Sequence, residues 1–255
     1  MLEIIPVRAL KDNYIRLIKH QHKVAIVDPG EAKPVLDYCK EHELTPCAIL
    51  ITHHHWDHTN GIAELLDVHD IPVYGPGTET ISTLSTGLHE GNELDLPELN
   101  AKFSVLDVPG HTAGAITYVG HGMAFTGDTL FLAGCGRLFE GTATQMLESL
   151  NKLKNLPEDT LIYCGHEYTE ANLQFATTVE PDNADIKQRI ETVREQRQKG
   201  LPSIPATLLE EKASNPFLRT EYAHIHEKIE DYCGKSLEQP AEVFAELRRW
   251  KDQFS

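Results

Sequence analysis

No apolar run in this chain approaches the ~20 residues that a membrane span requires. The N-terminal MLEIIPVRALKDN carries Glu3, Arg8, Lys11 and Asp12 where a signal peptide needs an uninterrupted apolar segment. The expectation is a cytoplasmic protein without a membrane partner. Basic residues are also scarce: 23 Lys and Arg against 39 Asp and Glu leave a formal charge of -16, the opposite of the footprint that neutralises phosphates, so no nucleic-acid partner is expected. An anionic ligand would need a locally basic pocket. Cysteine is sparse and odd in number, with Cys39, Cys47, Cys135, Cys164 and Cys233 scattered and no CxxC pair, which excludes a disulfide framework and a cysteine-rich zinc site. Buried, reduced thiols are expected. Histidine is abundant, at 14 residues, and four of them fall in ITHHHWDHTNG.

Short β-branched runs fill the first half of the chain: YIRLIKH, HKVAIVDPG, PCAILITHH, IPVYGP, FSVLDVPGH, GAITYVG and GMAFTGD. Helical periodicity from about Lys33 to His42, Gly61 to Val68 and Thr142 to Lys154 alternates with them, which predicts sheets covered by helices. After LIYCGHEYT the strand signals stop. Helices are predicted over Asp182–Lys199, closed by Gly200, near Tyr222–Tyr232 and over Ala241–Trp250. Two domains are therefore expected, 1–173 and 174–255, the second all-helical.

In an extended segment alternate side chains share a face, so His53 and His55 project together from the end of CAILIT while His54 points elsewhere. Asp57 and His58 follow as the chain turns towards a helix near Gly61. His111 in VPGHTAG, Asp128 in TGDTLF and His166 in CGHEYT each lie just past a strand beside a glycine. Any one of these is an ordinary turn residue; together they make seven N and O donors, a number that suits two ions sharing one carboxylate. His20, His22, His42, His54, His69, His89, His121, His224 and His226 occupy turns, helices or the other strand face. Cys164 sits two residues before His166, where a buried thiol is the simpler reading. Asp28 in IVDPG is equally suited to holding an imidazole tautomer and to forming a turn.

The segments THHHWDHTNG, VPGHTAG, TGDTLF, GCGRLFEGT, CGHEYT and RRWKDQF resemble the glyoxalase II enzymes, hydroxyacylglutathione hydrolases of the metallo-β-lactamase superfamily. The pattern HxHxDH marks only the superfamily; GCGRLFEGT and RRWKDQF narrow it. The resemblance implies an α/β (α+β) fold, an αββα sandwich of two mixed sheets followed by a C-terminal helical domain that helps to hold glutathione. It implies a first ion on His53, His55 and His111, a second on Asp57, His58 and His166, and Asp128 as the bridge. The implied activity is hydrolysis of S-D-lactoylglutathione to glutathione and D-lactate, the second step of methylglyoxal detoxification.

That chemistry suits the donors. Divalent ions lower the pKa of bound water towards roughly 7 and polarise a carbonyl, so the catalytic part assigned to Asp57 and Asp128 is to hold a metal-bridging hydroxide as nucleophile. Zinc is the expected metal, and iron and manganese suit the same imidazole and carboxylate set. The substrate is a small anionic thioester, for which the resemblance implies contacts from Arg137, Tyr168, Arg248 and Lys251. By the same resemblance, better-known members carry a second tyrosine where this chain has Phe139, so one possible hydrogen bond to the substrate is expected to be missing. A monomer is expected. The alternatives are a mononuclear-iron glutathione persulfide dioxygenase, which needs fewer ligands, and a non-catalytic metal-stabilised binding module, which would show no turnover.

Overall fold

The computed structural model describes residues 2–254; Met1 and Ser255, the outer ends of the two expected domains, lie outside the described residues. The chain divides into two compact units, one running up to Asp107 and including Thr112–Gly127, the other formed by Val108–His111 with the residues from Asp128 onward.

The first unit begins with β1 (Glu3–Ala9), β2 (Asn13–His20), β3 (Lys23–Val27), α1 (Lys33–Glu41) and β4 (Thr45–Leu50). It continues through α2 (Trp56–Thr59), α3 (Ile62–Val68), β5 (Val73–Pro76), β6 (Thr86–Leu88), β7 (Glu93–Leu96), β8 (Ala101–Asp107), β9 (Ile116–Gly120) and β10 (Met123–Gly127). Strands β1 to β6 form one mixed sheet in chain order. The β1–β2 and β2–β3 pairs are antiparallel, whereas β3 to β6 pair in parallel. Two antiparallel strands can be joined by a tight turn, and a parallel pair needs a crossover; α1 and the α2–α3 pair supply the crossovers on either side of β4. Strands β7 to β10 pair antiparallel in succession.

Strand β1, which was not predicted from sequence, carries Pro6 in its middle. Proline is tolerated there because β1 is a sheet edge, and the strand still alternates, burying Ile5, Val7 and Ala9 and exposing Glu3, Pro6 and Arg8 to differing degrees. Ile15, Leu17, Val24, Ile26, Ile49 and Ile51 pack with Val35 and Cys39 of α1 and Ile62 and Leu65 of α3. Each such burial contributes about 1.5–3 kcal/mol, and together they hold rigid the end of β4 from which the histidine-rich segment leaves.

The second unit contains β11 (Leu130–Phe131), β12 (Gly134–Cys135), α4 (Ala143–Lys154), β13 (Leu161–Cys164), α5 (Thr169–Val179) and α6 (Ala184–Gln198). After these come β14 (Ala206–Thr207), α7 (Leu208–Ser214), α8 (Ala223–Cys233) and α9 (Pro240–Gln253). The tail is not all-helical: β14 pairs antiparallel with β13, Leu161 opposite Thr207 and Ile162 opposite Ala206. Two residues are too few for strand alternation to show in a sequence. Helix α7 also went unmarked, although a capping box in which Thr207 and Glu210 bond each other's backbone amides announces it. Leu173 and Ala176 of α5 pack against Ile186 and Val193 of α6 and against Ala133. Among the described residues no helix is long and apolar enough to cross a membrane.

All five cysteines are free thiols; Cys39, Cys135 and Cys164 are buried as expected, but Cys47 and Cys233 are only partly so.

Candidate metal centre

In the first unit the histidine segment lies just beyond β4, with the backbone at His55 still extended (φ -57°, ψ 144°). The rings of His53 and His55 approach to 4.8 Å between centroids, and His58 comes within 4.2 Å of His53. Asp57 and His58 stand on the single turn α2 and not, as expected from sequence, in a loop leading to the helix at Gly61. The Asp57 carboxylate and His58 Nε2 are 3.6 Å apart. Donors bound at ~2.0–2.2 Å to one tetrahedral ion lie roughly 3.3–3.6 Å from each other, so this pair fits a shared metal.

Asp28 organises the imidazoles. Its Oδ1 accepts from the Thr52 amide at 2.8 Å, and its Oδ2 accepts from the Thr52 hydroxyl at 2.7 Å and from His58 Nδ1 at 3.1 Å. A carboxylate only accepts, so His58 carries its proton on Nδ1 and presents Nε2 as a lone-pair donor. The Thr52 hydroxyl has spent its hydrogen on Asp28, so its contact with His53 Nδ1 at 3.1 Å must be donated by the ring. One carboxylate thus sets two tautomers, one directly and one through Thr52. It also shapes a turn, with φ of 53° at Asp28, so the two readings of this residue are both realised. Asn13 was not singled out from sequence; its Nδ2 donates to the Asp57 carboxylate at 3.1 Å and to the Asp57 carbonyl at 3.2 Å. A lone asparagine opening a strand carries no spacing signal that would have revealed this.

In the second unit Asp128 stands between two buried histidines. Its Oδ2 is 3.5 Å from His111 Nε2 and 3.2 Å from His166 Nε2, the separation expected of donors to common ions. His111 Nδ1 donates to the Arg137 carbonyl at 2.9 Å, which again leaves Nε2 as the donor atom. His166 follows β13 and stacks on Tyr168, with centroids 4.7 Å apart and planes 7° from parallel. Gly136 makes this packing feasible: a Cβ there would lie 1.9 Å from the Asp128 carbonyl oxygen and 3.0 Å from His111 Nδ1. Each of the seven sequence-predicted ligands belongs to a His/Asp group able to hold a metal ion. Cys164 is not among them; its thiol faces the His166 carbonyl at 3.6 Å.

The substrate-binding candidates all lie in the second unit. Arg137 has an exposed side chain, 3.4 Å from Asp252. Arg248 is buried; it donates to the Cys135 carbonyl at 2.7 Å and pairs with Asp252 at 3.0 Å. Lys251 lies one helical turn on in α9, and its Nζ donates to the Ala171 carbonyl of α5 at 3.3 Å. Burial, with Arg248 and Arg137 nearby, pushes its pKa down to about 8. Tyr168 is partly exposed at the start of α5. Phe139 is exposed, its ring edge-on to His111 at 5.3 Å. The remaining histidines have ordinary roles where these are resolved: His42 packs on Tyr38, His121 accepts from the Lys102 amide, and His224 pairs with Glu180.

Residues 13–166 match the model of the metallo-β-lactamase superfamily, the class to which this sheet-and-helix architecture and N/O donor set correspond. Residues 167–254 match the model of the hydroxyacylglutathione hydrolase C-terminus. The hydroxyacylglutathione hydrolase of Nitrosomonas eutropha is 50% identical over 254 residues, covering all of both chains. That of Alkalilimnicola ehrlichii is 50% identical over 255 residues, 99% of this chain and all of the relative. Among solved structures, the BLEG-1 B3 metallo-β-lactamase is 25% identical with a TM-score of 0.65, over 86% of this chain and 99% of that one. ETHE1 from Myxococcus xanthus, 24% identical with a TM-score of 0.66 over 98% of each chain, shares the fold. The chain belongs to the hydroxyacylglutathione hydrolase family, with a metallo-β-lactamase fold of mixed sheets and helices and a helical C-terminal region.

Proposed function

We propose that this chain hydrolyses S-D-lactoylglutathione to glutathione and D-lactate, using two divalent metal ions, with zinc as the resident metal. The first ion is assigned to His53, His55 and His111, the second to Asp57, His58 and His166, and the shared carboxylate to Asp128. The observation that carries the reading is the Asp128 Oδ2, 3.2 and 3.5 Å from two imidazole nitrogens, on a chain half identical over its full length to hydroxyacylglutathione hydrolases. When bound, such ions polarise the thioester carbonyl and supply hydroxide near neutral pH.

The protein's own residues do the rest. Asp28, Thr52 and the Arg137 carbonyl hold three imidazoles in the tautomer that offers Nε2. Arg137 and Lys251 provide fixed cations for the carboxylates of the glutathione moiety, and Tyr168 offers a hydroxyl to its peptide. Arg248, buried behind them, braces α9 through Cys135 and Asp252 and adds positive potential to the same region. A thiolate leaves without needing a general acid. The functional division proposed is a catalytic domain over 1–173 and a glutathione-binding helical domain over 174–255, in a cytoplasmic monomer.

Steady-state kinetics on S-D-lactoylglutathione with elemental analysis, before and after chelation, test the proposal. Turnover should vanish with the metal and return with zinc. A folded protein holding two metal ions per chain that leaves the thioester intact would refute it.

A further inference from the structure

Glu79 is an acidic side chain of the first unit that faces the histidine segment without belonging to the proposed ligand set. It lies in the turn after β5, three residues beyond Pro76. Its Oε1 accepts two hydrogen bonds, from the Thr112 hydroxyl at 2.5 Å and from the Gly114 amide at 3.1 Å. Thr112 is completely buried. Gly114 has no room for a side chain, since a Cβ would stand 2.3 Å from Thr78 Oγ1 and 2.6 Å from Glu79 Cγ. The packing that brings the carboxyl to this turn is therefore tight enough to dictate the neighbouring residue.

On its other side the carboxyl faces the amide and imidazole of His54, whose attraction opposes the effect of burial on its acidity. Its second oxygen, Oε2, is buried without a hydrogen bond of good geometry. Burying a carboxylate oxygen in this state costs stability. Such a cost is characteristic of residues that serve a site.

We infer that Glu79 is a positioning residue for the hydrolysis: its Oε1, accepting from Thr112 and Gly114, pins the turn directly after His111. The inference rests on the ligand role proposed above for His111. No metal or substrate contact is assigned to Glu79 itself. The acceptor that matters is Oε1, which an amide oxygen can replace and a methyl group cannot.

The test compares Glu79→Ala, Glu79→Gln and Thr112→Val with the wild type, in the full-length protein. Zinc affinity is read by chelator competition, amide exchange at Gly114 in the metal-free protein, and kcat separately from KM. Glu79→Ala should weaken zinc binding by roughly 10–100-fold, the usual effect of losing a group that orients ligands. It should also lower kcat with little change in KM, and deprotect the Gly114 amide. Glu79→Gln should remain near wild type in all three. Thr112→Val, which deletes one of the two donors and keeps the side-chain shape, should fall between them, and it carries the test if Glu79→Ala does not fold. Wild-type zinc affinity and Gly114 protection in Glu79→Ala, or in Thr112→Val should it stand in, would overturn the inference. So would Glu79→Gln being as damaging as Glu79→Ala, because charge would then be operating and not the hydrogen bonds. A wild type that binds no zinc or cleaves no thioester would instead remove the parent reading.

Discussion

The two histidine clusters solve one problem in different ways. In the first unit four of the proposed donors come from six consecutive residues, and a single side chain, Asp28, orients two of the imidazoles. In the second, three proposed donors come from three separate segments, and His111 is oriented by a backbone carbonyl, that of Arg137. The first cluster is local in sequence and dependent on one carboxylate. The second is dispersed, and its orienting atom survives any change of the side chain that bears it. A proposed ligand's orientation can thus be exposed to mutation or protected from it independently of how buried the residue is, since His53, His58, His111 and His166 are all buried.

The comparison breaks most sharply at Asp128, whose carboxylate lies near two histidines of its own unit. Asp128→Ala is expected to lose bound metal and more than ~100-fold in kcat, beyond the 10–100-fold typical of an orienting residue. Elemental analysis with kinetics reads both, and intact metal with wild-type turnover would end the bridging role. Next in size is Asp28→Ala, which releases His58 directly and His53 through Thr52. Zinc affinity should fall by about 10–100-fold, and Thr52→Val should reproduce only the part due to His53. Arg137→Ala should behave oppositely, with metal content unchanged and KM for the glutathione thioester raised, because the carbonyl that holds His111 remains. If Arg137→Ala also lost metal, the protection ascribed to a backbone acceptor would be wrong.

The same contrast explains what could be read from the sequence. His53 and His55 were legible because strand alternation acts over neighbouring positions, and Asp57 and His58 stood out beside them where the chain turns towards a helix. His111, Asp128 and His166 could be noticed as residues beside glycines after strands, but periodicity says nothing about which distant strand ends meet, and only the family resemblance grouped them. Thr52 and Asn13 have no spacing signature, and their roles depend on where Asp28 and Asp57 point. Strands with a regular alternation were legible as well; β1, interrupted by Pro6, and the two-residue β14 were not. Arg248 shows the opposite limit: its place on one face of α9 with Lys251 was readable, but not its burial against Cys135.

That pair of cations gives a smaller, pH-dependent effect. Lys251 has its pKa lowered from 10.5 to about 8, so it is charged below that pH and neutral above it in the free enzyme. An anionic substrate binds the charged form, and kcat/KM, which reports free-enzyme groups, should fall as pH rises from 7 through 8 to 9. The loss should reach about tenfold, the lower end for a hydrogen bond to a charged group, because the side chain is only partly buried. Lys251→Arg keeps its charge throughout and should flatten this step. A step of equal size in Lys251→Arg would assign the titration to another group.

The smallest expected effect lies at Phe139, the exposed aromatic beside His111. A tyrosine there adds a hydroxyl without altering the ring that packs edge-on to His111, so neither cluster should lose metal. If the hydroxyl reaches the glutathione moiety, one neutral hydrogen bond contributes about 0.5–1.5 kcal/mol, or roughly a 2- to 10-fold lower KM. The variant separates packing from hydrogen bonding: Phe139→Tyr should change KM alone, whereas Phe139→Ala removes the aromatic wall and should disturb zinc affinity through His111 as well. An unchanged KM in Phe139→Tyr would mean that the substrate does not pass within hydrogen-bonding distance of this ring.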